Sequence, residues 1–153
     1  MRTLVLLLVA SGFLLLSGCK NDNGGPSARF SVRVAGANWS ASRVFANVTT
    51  VGGTSTRILT AEGPGGDVFT VTVVTTSTGN LSLDDDVTTS TASVVLTRNG
   101  GTSVFTSVSG SMNVTNNTSE NFSATFSGTV QAAGGGATLE LSSGSIINVR
   151  TLN

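Results

Sequence analysis

The chain has 153 residues, with eight Lys and Arg against eight Asp and Glu, and no histidine. A net charge of zero with no basic cluster excludes the electrostatic footprint of a nucleic-acid binder. The lack of histidine removes the commonest general base and metal ligand, and a single cysteine excludes an internal disulfide.

The chain begins with Arg2, then an apolar run from Leu4 to Leu16, then Ser17, Gly18 and Cys19. A charged start, a short apolar middle and a small-residue exit make a secretory signal peptide. The run is shorter than the roughly 20 apolar residues a membrane span needs. Leu16-Ser17-Gly18-Cys19 resembles the lipobox of bacterial lipoproteins. That resemblance implies a thioether-linked diacylglyceryl group on Cys19, cleavage after Gly18, and acylation of the new amine. Each buried methylene is worth about 0.8 kcal/mol, so two or three chains hold a protein on a membrane. The expected organisation is a signal peptide over 1–18, a polar tether over 19–27 and one domain over 28–153. The expected partner is the membrane, reached through lipid on Cys19. Lys20 stands where aspartate would signal inner-membrane retention, so the expected location is the outer membrane, on its periplasmic face or at the cell surface.

From residue 29 onward one kind of segment recurs. In 29–34, Phe30, Val32 and Val34 alternate with Arg29, Ser31 and Arg33, which is the period of a strand with one buried face. Gly36, Ala37 and Asn38 mark a turn into a second strand over 39–48, and a third is expected at 56–62. The stretch 67–76 is apolar on both faces over Val71, Val73 and Val74, as a central strand would be. Strands at 91–98 and 102–108 flank Asn99-Gly100, a hairpin signal because the tight turn needs positive φ at both residues. Further strands are expected at 110–115, 121–131, 137–142 and 145–152. In 121–131, Phe122, Ala124, Phe126 and Val130 alternate with Ser123, Thr125, Ser127, Thr129 and Gln131. No stretch of the domain has a helical apolar period. Short strands at this spacing predict an all-β domain, an antiparallel β-sandwich, with a closed or partly open β-barrel as the alternative. A Ser-Gly-Ser/Thr core recurs at 109–111, 127–129 and 143–145. Glycine there relieves crowding where a strand bends or passes beneath a large side chain.

Candidate chemistry is sparse. Asp84, Asp85 and Asp86 form the one dense acidic cluster, a weak candidate for calcium. They lack the alternating loop spacing of a calcium loop, and a solvated turn is the simpler expectation. Trp39, the sole tryptophan, is expected to close the first hairpin over the core rather than serve as a sugar platform. A hydrolase would have to use carboxylates alone, drawn from Glu62, Asp67, Asp84, Asp85, Asp86 and Glu140, a few ångströms apart in a cleft. No spacing supports that, so the domain is expected to be non-catalytic, with no cofactor. Its protein or glycan partner is left open.

Three further stretches carry a family resemblance. They are Val32-Arg33-Val34-Ala35-Gly36-Ala37-Asn38-Trp39, the segment Gly79-Asn80-Leu81-Ser82-Leu83, and Phe126-Ser127-Gly128-Thr129-Val130 followed by a glycine-rich turn and 143–149. Their order resembles a family of small Bacteroidota-type lipoproteins, a domain of unknown function. Leu81 stands where tyrosine is common in that family. The resemblance implies an all-β lipoprotein domain and carries no activity.

Overall fold

Alternation of apolar and hydroxylated residues gives each segment a dry face and a wet face, and pairing those segments buries the dry ones. The computed structural model describes residues 28–152. The expected signal segment, tether and Cys19 attachment site lie outside the described residues. Ten strands follow in chain order: β1 (Arg29–Val34), β2 (Ala37–Ser40), β3 (Arg43–Val51), β4 (Thr54–Glu62), β5 (Val68–Val74), β6 (Gly79–Leu83), β7 (Thr91–Arg98), β8 (Ser103–Asn117), β9 (Asn121–Ala132) and β10 (Thr138–Arg150). The helical residues described are two short 3-10 turns, and among them is no helix long and apolar enough to cross a membrane.

All ten strands belong to one sheet, ordered β2-β1-β10-β9-β8-β6-β7-β5-β4-β3, with β8 also pairing β7 directly. The domain is all-β, and the sheet curls into a half-barrel. β2 and β3 are successive in the chain yet stand at opposite ends of this order. Ala41 and Ser42 alone connect them, so the two edges lie within about 11 Å, three Cα steps, at that point. The Ala41 amide donates to the Phe30 carbonyl on β1 at 3.0 Å, and the Ser42 amide to the Glu62 carbonyl on β4 at 2.8 Å. Farther along, Ala46 on β3 bridges Thr151 just beyond β10, and the Leu152 amide donates to the Ala46 carbonyl at 2.8 Å.

β6 falls outside the expected strands, and three expected boundaries differ, each for a reason of phase. The segment 39–48 is two strands and a crossover. Trp39 and Ala46 both face the core, and an unbroken strand would put residues seven apart on opposite faces. The segments 102–108 and 110–115 are one strand, β8, with an irregularity between Ser107 and Ser109. The segments 137–142 and 145–152 join likewise in β10, where pairing with β9 shifts between Leu141 and Gly144. An extra residue at each bulge turns the following apolar residues back inward. Pairing between the strands is antiparallel except between β6 and β7, which run parallel at Ser82–Thr91 and Leu83–Ala92, and the isolated Ala46–Thr151 bridge is parallel as well. At Asn99-Gly100 both φ values are positive, 53° and 65°, as the hairpin signal requires.

Phe30 is the hub of the core. Its ring centroid lies 5.7 Å from Trp39, 5.3 Å from Phe69 and 5.7 Å from Phe126, and Trp39 meets Phe69 at 4.8 Å. Trp39 is therefore a core residue, and a Cβ on Gly63 would come within 2.2 Å of its ring. The recurrent Ser-Gly-Ser/Thr glycines fall on three adjacent strands, with Gly144 opposite Phe126 rather than Gly128. Gly110 pairs with Gly128, and a Cβ on Gly128 would lie 2.3 Å from the Ser109 carbonyl oxygen. A Cβ on Gly144 would lie 2.6 Å from the Phe126 ring. The repeat is thus a packing device.

This packing fixes the response to substitution. Phe126→Asp should lower stability by roughly 4 kcal/mol or more, since it loses a buried ring and buries a charge. Thr125→Asp, on the exposed face, should stay within about 1 kcal/mol. Gly128→Ala should cost about 1–3 kcal/mol through overpacking against β8 backbone. Urea denaturation of the three variants checks all of these, and equal effects at 125 and 126 would contradict the facing of β9.

Candidate functional site

Position 57 keeps the periodicity of its strand while breaking its chemistry. In β4, Arg57, Leu59 and Ala61 all face the core, and Arg57 is 1% exposed. It stands between Val48 on β3 and Val73 on β5. Its Nη2 donates to the Thr118 carbonyl, and its guanidinium carbon sits 5.6 Å from the centroid of the buried Phe122 ring. Nε and Nη1 are buried without a partner among the described residues. The ion pairs among the described residues are Arg43–Glu62 and Arg98–Asp67, and no described carboxylate lies within 4 Å of Arg57. Burial pushes the Arg57 pKa down from its ordinary value, but a guanidinium remains protonated in a protein. The outcome is a desolvated cation without a counter-ion among the described residues.

Arg57 lines a pocket of about 370 Å³ with Val48, Ser55, Thr75, Thr118, Ser119 and Thr151. Five buried side-chain polar atoms lack partners among the described residues. Three of them, Arg57 Nε, Arg57 Nη1 and Thr151 Oγ1, belong to residues lining this pocket. Buried polar groups are normally paired, so such a cluster is unusual. The walls are tied down. Asn117 Nδ2 donates to the carbonyls of Val74 and Ser77 at 3.1 and 2.8 Å, fastening the end of β8 to the turn after β5. The Asn121 amide donates to Thr118 Oγ1 at 3.1 Å, and the Thr151 amide to the Glu120 carbonyl at 3.0 Å. The lining has a fixed positive charge, hydroxyls and one apolar side chain, Val48, and it holds no carboxylate. Its chemistry suits holding an anion or acceptor and offers no general base.

No family model, curated protein or solved structure matches the chain.

The residues singled out from sequence lie elsewhere. Asp84, Asp85 and Asp86 follow β6 on the surface, and Asp84 Oδ1 accepts the Asp85 amide at 2.7 Å. Among the described residues no group of three or more His, Cys, Asp or Glu is arranged to hold a metal ion. A side-chain hydrogen bond with Asp85, with help from the backbone amides of Asp85 and Asp86, holds Asp84 below the usual carboxylate range. The same side-chain hydrogen bond and the Asp84 charge push Asp85 up. Glu62 is ion-paired with Arg43 at 3.8 Å. Asp67 accepts from Arg98 Nε and from the Asn99 amide, each at 3.2 Å. Glu140 stands exposed on β10. None of these carboxylates lines the Arg57 pocket.

Two outcomes follow. Arg57→Met should match or exceed the wild type in urea, by up to about 4 kcal/mol without ligand, because it removes a buried charge and keeps the volume. A large loss would mean that Arg57 is fully compensated. Stability should also be flat from about pH 5.5 to 8, where no histidine or free thiol titrates. Below that window the two aspartates oppose each other. The lowered pKa of Asp84 gives stability that is lost as pH falls through its folded value. The raised pKa of Asp85 gives stability that is lost as pH rises through its folded value. Carboxyl NMR should show Asp84 titrating at lower pH than Asp85.

Proposed function

We propose that this protein is a lipid-anchored lipoprotein of the outer membrane whose β-domain binds a ligand or partner and performs no chemistry on it. The carrying observation is Leu16-Ser17-Gly18-Cys19 at the end of a short apolar run, a few polar residues ahead of a domain whose first strand starts at Arg29. On this reading Cys19 carries the lipid, 19–27 spaces the domain from the bilayer, and the protein is one of the small Bacteroidota-type lipoproteins that its sequence resembles. The non-catalytic part is supported by inventory. The chain has no histidine, its one thiol is consumed by lipid, and Glu62 and Asp67 are engaged by arginines. We read the architecture as a partly open barrel, with a sandwich as the alternative. The crossover at 41–42 and the Ala46–Thr151 bridge support the barrel, since each draws the sheet's edges together.

A cell-surface contact module is the second reading. A shallow depression of about 380 Å³ on the wet face of β8, β9 and β10 favours it, lined by Ser111, Asn113, Thr125, Ser127 and Ser145. Such a face offers hydroxyl and amide groups to a polar surface without charge.

Intact-mass spectrometry of the membrane fraction should find a chain beginning at Cys19, heavier by two or three acyl chains, and Cys19→Ser should release the protein from that fraction. A soluble product with a free Cys19 thiol would overturn the anchor.

A further inference from the structure

We propose that the pocket around Arg57 binds the carboxylate of a small hydroxylated acid, of the size and kind of a hexuronic acid, with the guanidinium as its counter-ion. This names the ligand class for the binding role above and rests on it. Donors are in surplus here. Arg57 Nε, Arg57 Nη1 and Thr151 Oγ1 are buried and have no partner among the described residues, so the site has donors to offer a ligand acceptor. Elsewhere in the molecule a fully buried hydroxyl is paired on both sides: Ser107 Oγ donates to the Asp84 carbonyl at 2.7 Å and accepts the Val94 amide at 3.0 Å. Of the five buried side-chain polar atoms without partners among the described residues, three are gathered at this pocket, while Trp39 Nε1 and Asn117 Oδ1 stand apart from its lining.

Charge and shape select the acceptor. One cation balances one negative charge, whereas a phosphate dianion would leave an uncompensated charge in a partly dry site. The guanidinium fork fits the two oxygens of a carboxylate. A volume of about 370 Å³ exceeds what a bare carboxylate fills and falls within the range of small-molecule sites. Ser55, Thr75 and Ser119 on the walls offer hydroxyls to a hydroxylated body, while Val48 offers an apolar contact to its carbon face. The rival counter-ion is Glu120, on the same turn as Thr118 and Ser119, but it is exposed and forms no ion pair with Arg57.

The test is calorimetric titration and thermal melting of the purified, detergent-solubilised protein with sodium D-glucuronate. D-glucose supplies the body without the charge, and sodium sulfate at matched ionic strength supplies the charge without the body. Glucuronate should bind saturably and raise the melting temperature, with sulfate on the order of tenfold weaker or worse and glucose inert. Arg57→Met should abolish binding, and Arg57→Lys, which keeps the charge and loses the fork, should weaken it on the order of tenfold. Thr151→Val and Ser119→Ala should each weaken it several-fold, which keeps the site testable if Arg57 variants fold poorly. Glu120→Gln should bind as the wild type does. The proposal falls if the wild type shows no saturable binding, if Arg57→Met still binds, or if sulfate binds as tightly as glucuronate. It falls too if Glu120→Gln binds far more tightly, because Glu120 would then be the native counter-ion. None of these readouts depends on acylation of Cys19, so the pocket and the anchor fail separately. Recovery of glucuronate unchanged is the expected result, and its consumption would overturn the non-catalytic reading while leaving the pocket in place.

Discussion

The two residues between β2 and β3 constrain everything else in this fold. A ten-stranded sheet laid flat would separate its edges by over 40 Å at about 4.8 Å per strand, yet Ala41 and Ser42 must connect them directly. The sheet therefore curls, and hydrogen bonds from the crossover to β1 and β4 hold it curled. Curling narrows the space on the concave side, and the sequence answers with small residues where strands crowd. Ala46, Ala61, Ala92 and Ala124 are buried, and Gly110, Gly128 and Gly144 lie where a side chain would strike backbone or ring. The aromatic cluster around Phe30 fills what remains near the crossover. With no disulfide available, that contact between rings from β1, β2, β5 and β9 joins elements far apart in sheet order.

How much of this could be read in advance follows from what alternation encodes. Period two reports facing, so the inward set of β9, the inward set of β1 and the buried character of β5 were all legible. Asn99-Gly100 encoded its own backbone. Phase breaks were harder. A two-residue crossover and a one-residue bulge both shift the alternation, so 39–48 read as continuous where it crosses the sheet, and β8 and β10 read as broken where they merely bulge. The parallel pairing of β6 with β7 left no local trace, because neighbour choice in a sheet is settled by tertiary contacts.

The site was half legible. Asp84, Asp85 and Asp86 stood out by density, and among the described residues no such group is arranged to hold a metal ion. Arg57 did not stand out, although its signal was present: in Thr56-Arg57-Ile58-Leu59-Thr60-Ala61 it shares the phase of Leu59 and Ala61. A charged residue in phase with the buried set of its own strand is the feature to look for, because burying it is costly and something must answer that cost. The other lining residues were beyond sequence reasoning, since Thr151 and Ser119 reach Arg57 through the curl of the sheet alone.

That dependence ties the pocket to the constraint that shapes the fold. Arg57 and Ser55 come from the β4 side of the sheet, while Thr151 arrives from beyond β10, on the other side of the opening. They meet where Ala46 bridges Thr151, the second point at which the curled sheet approaches itself. An unpartnered guanidinium placed elsewhere on the inner face would be enclosed by apolar side chains, as Leu59 and Ala61 are. Placed at this seam it has the Phe122 ring beneath it, one carbonyl at Nη2 and hydroxyls toward the opening. The curl that closes the core therefore also gathers, at its seam, a cation and hydroxyls from both sides of the sheet, and whatever loosens the Ala46–Thr151 bridge should loosen the pocket with it.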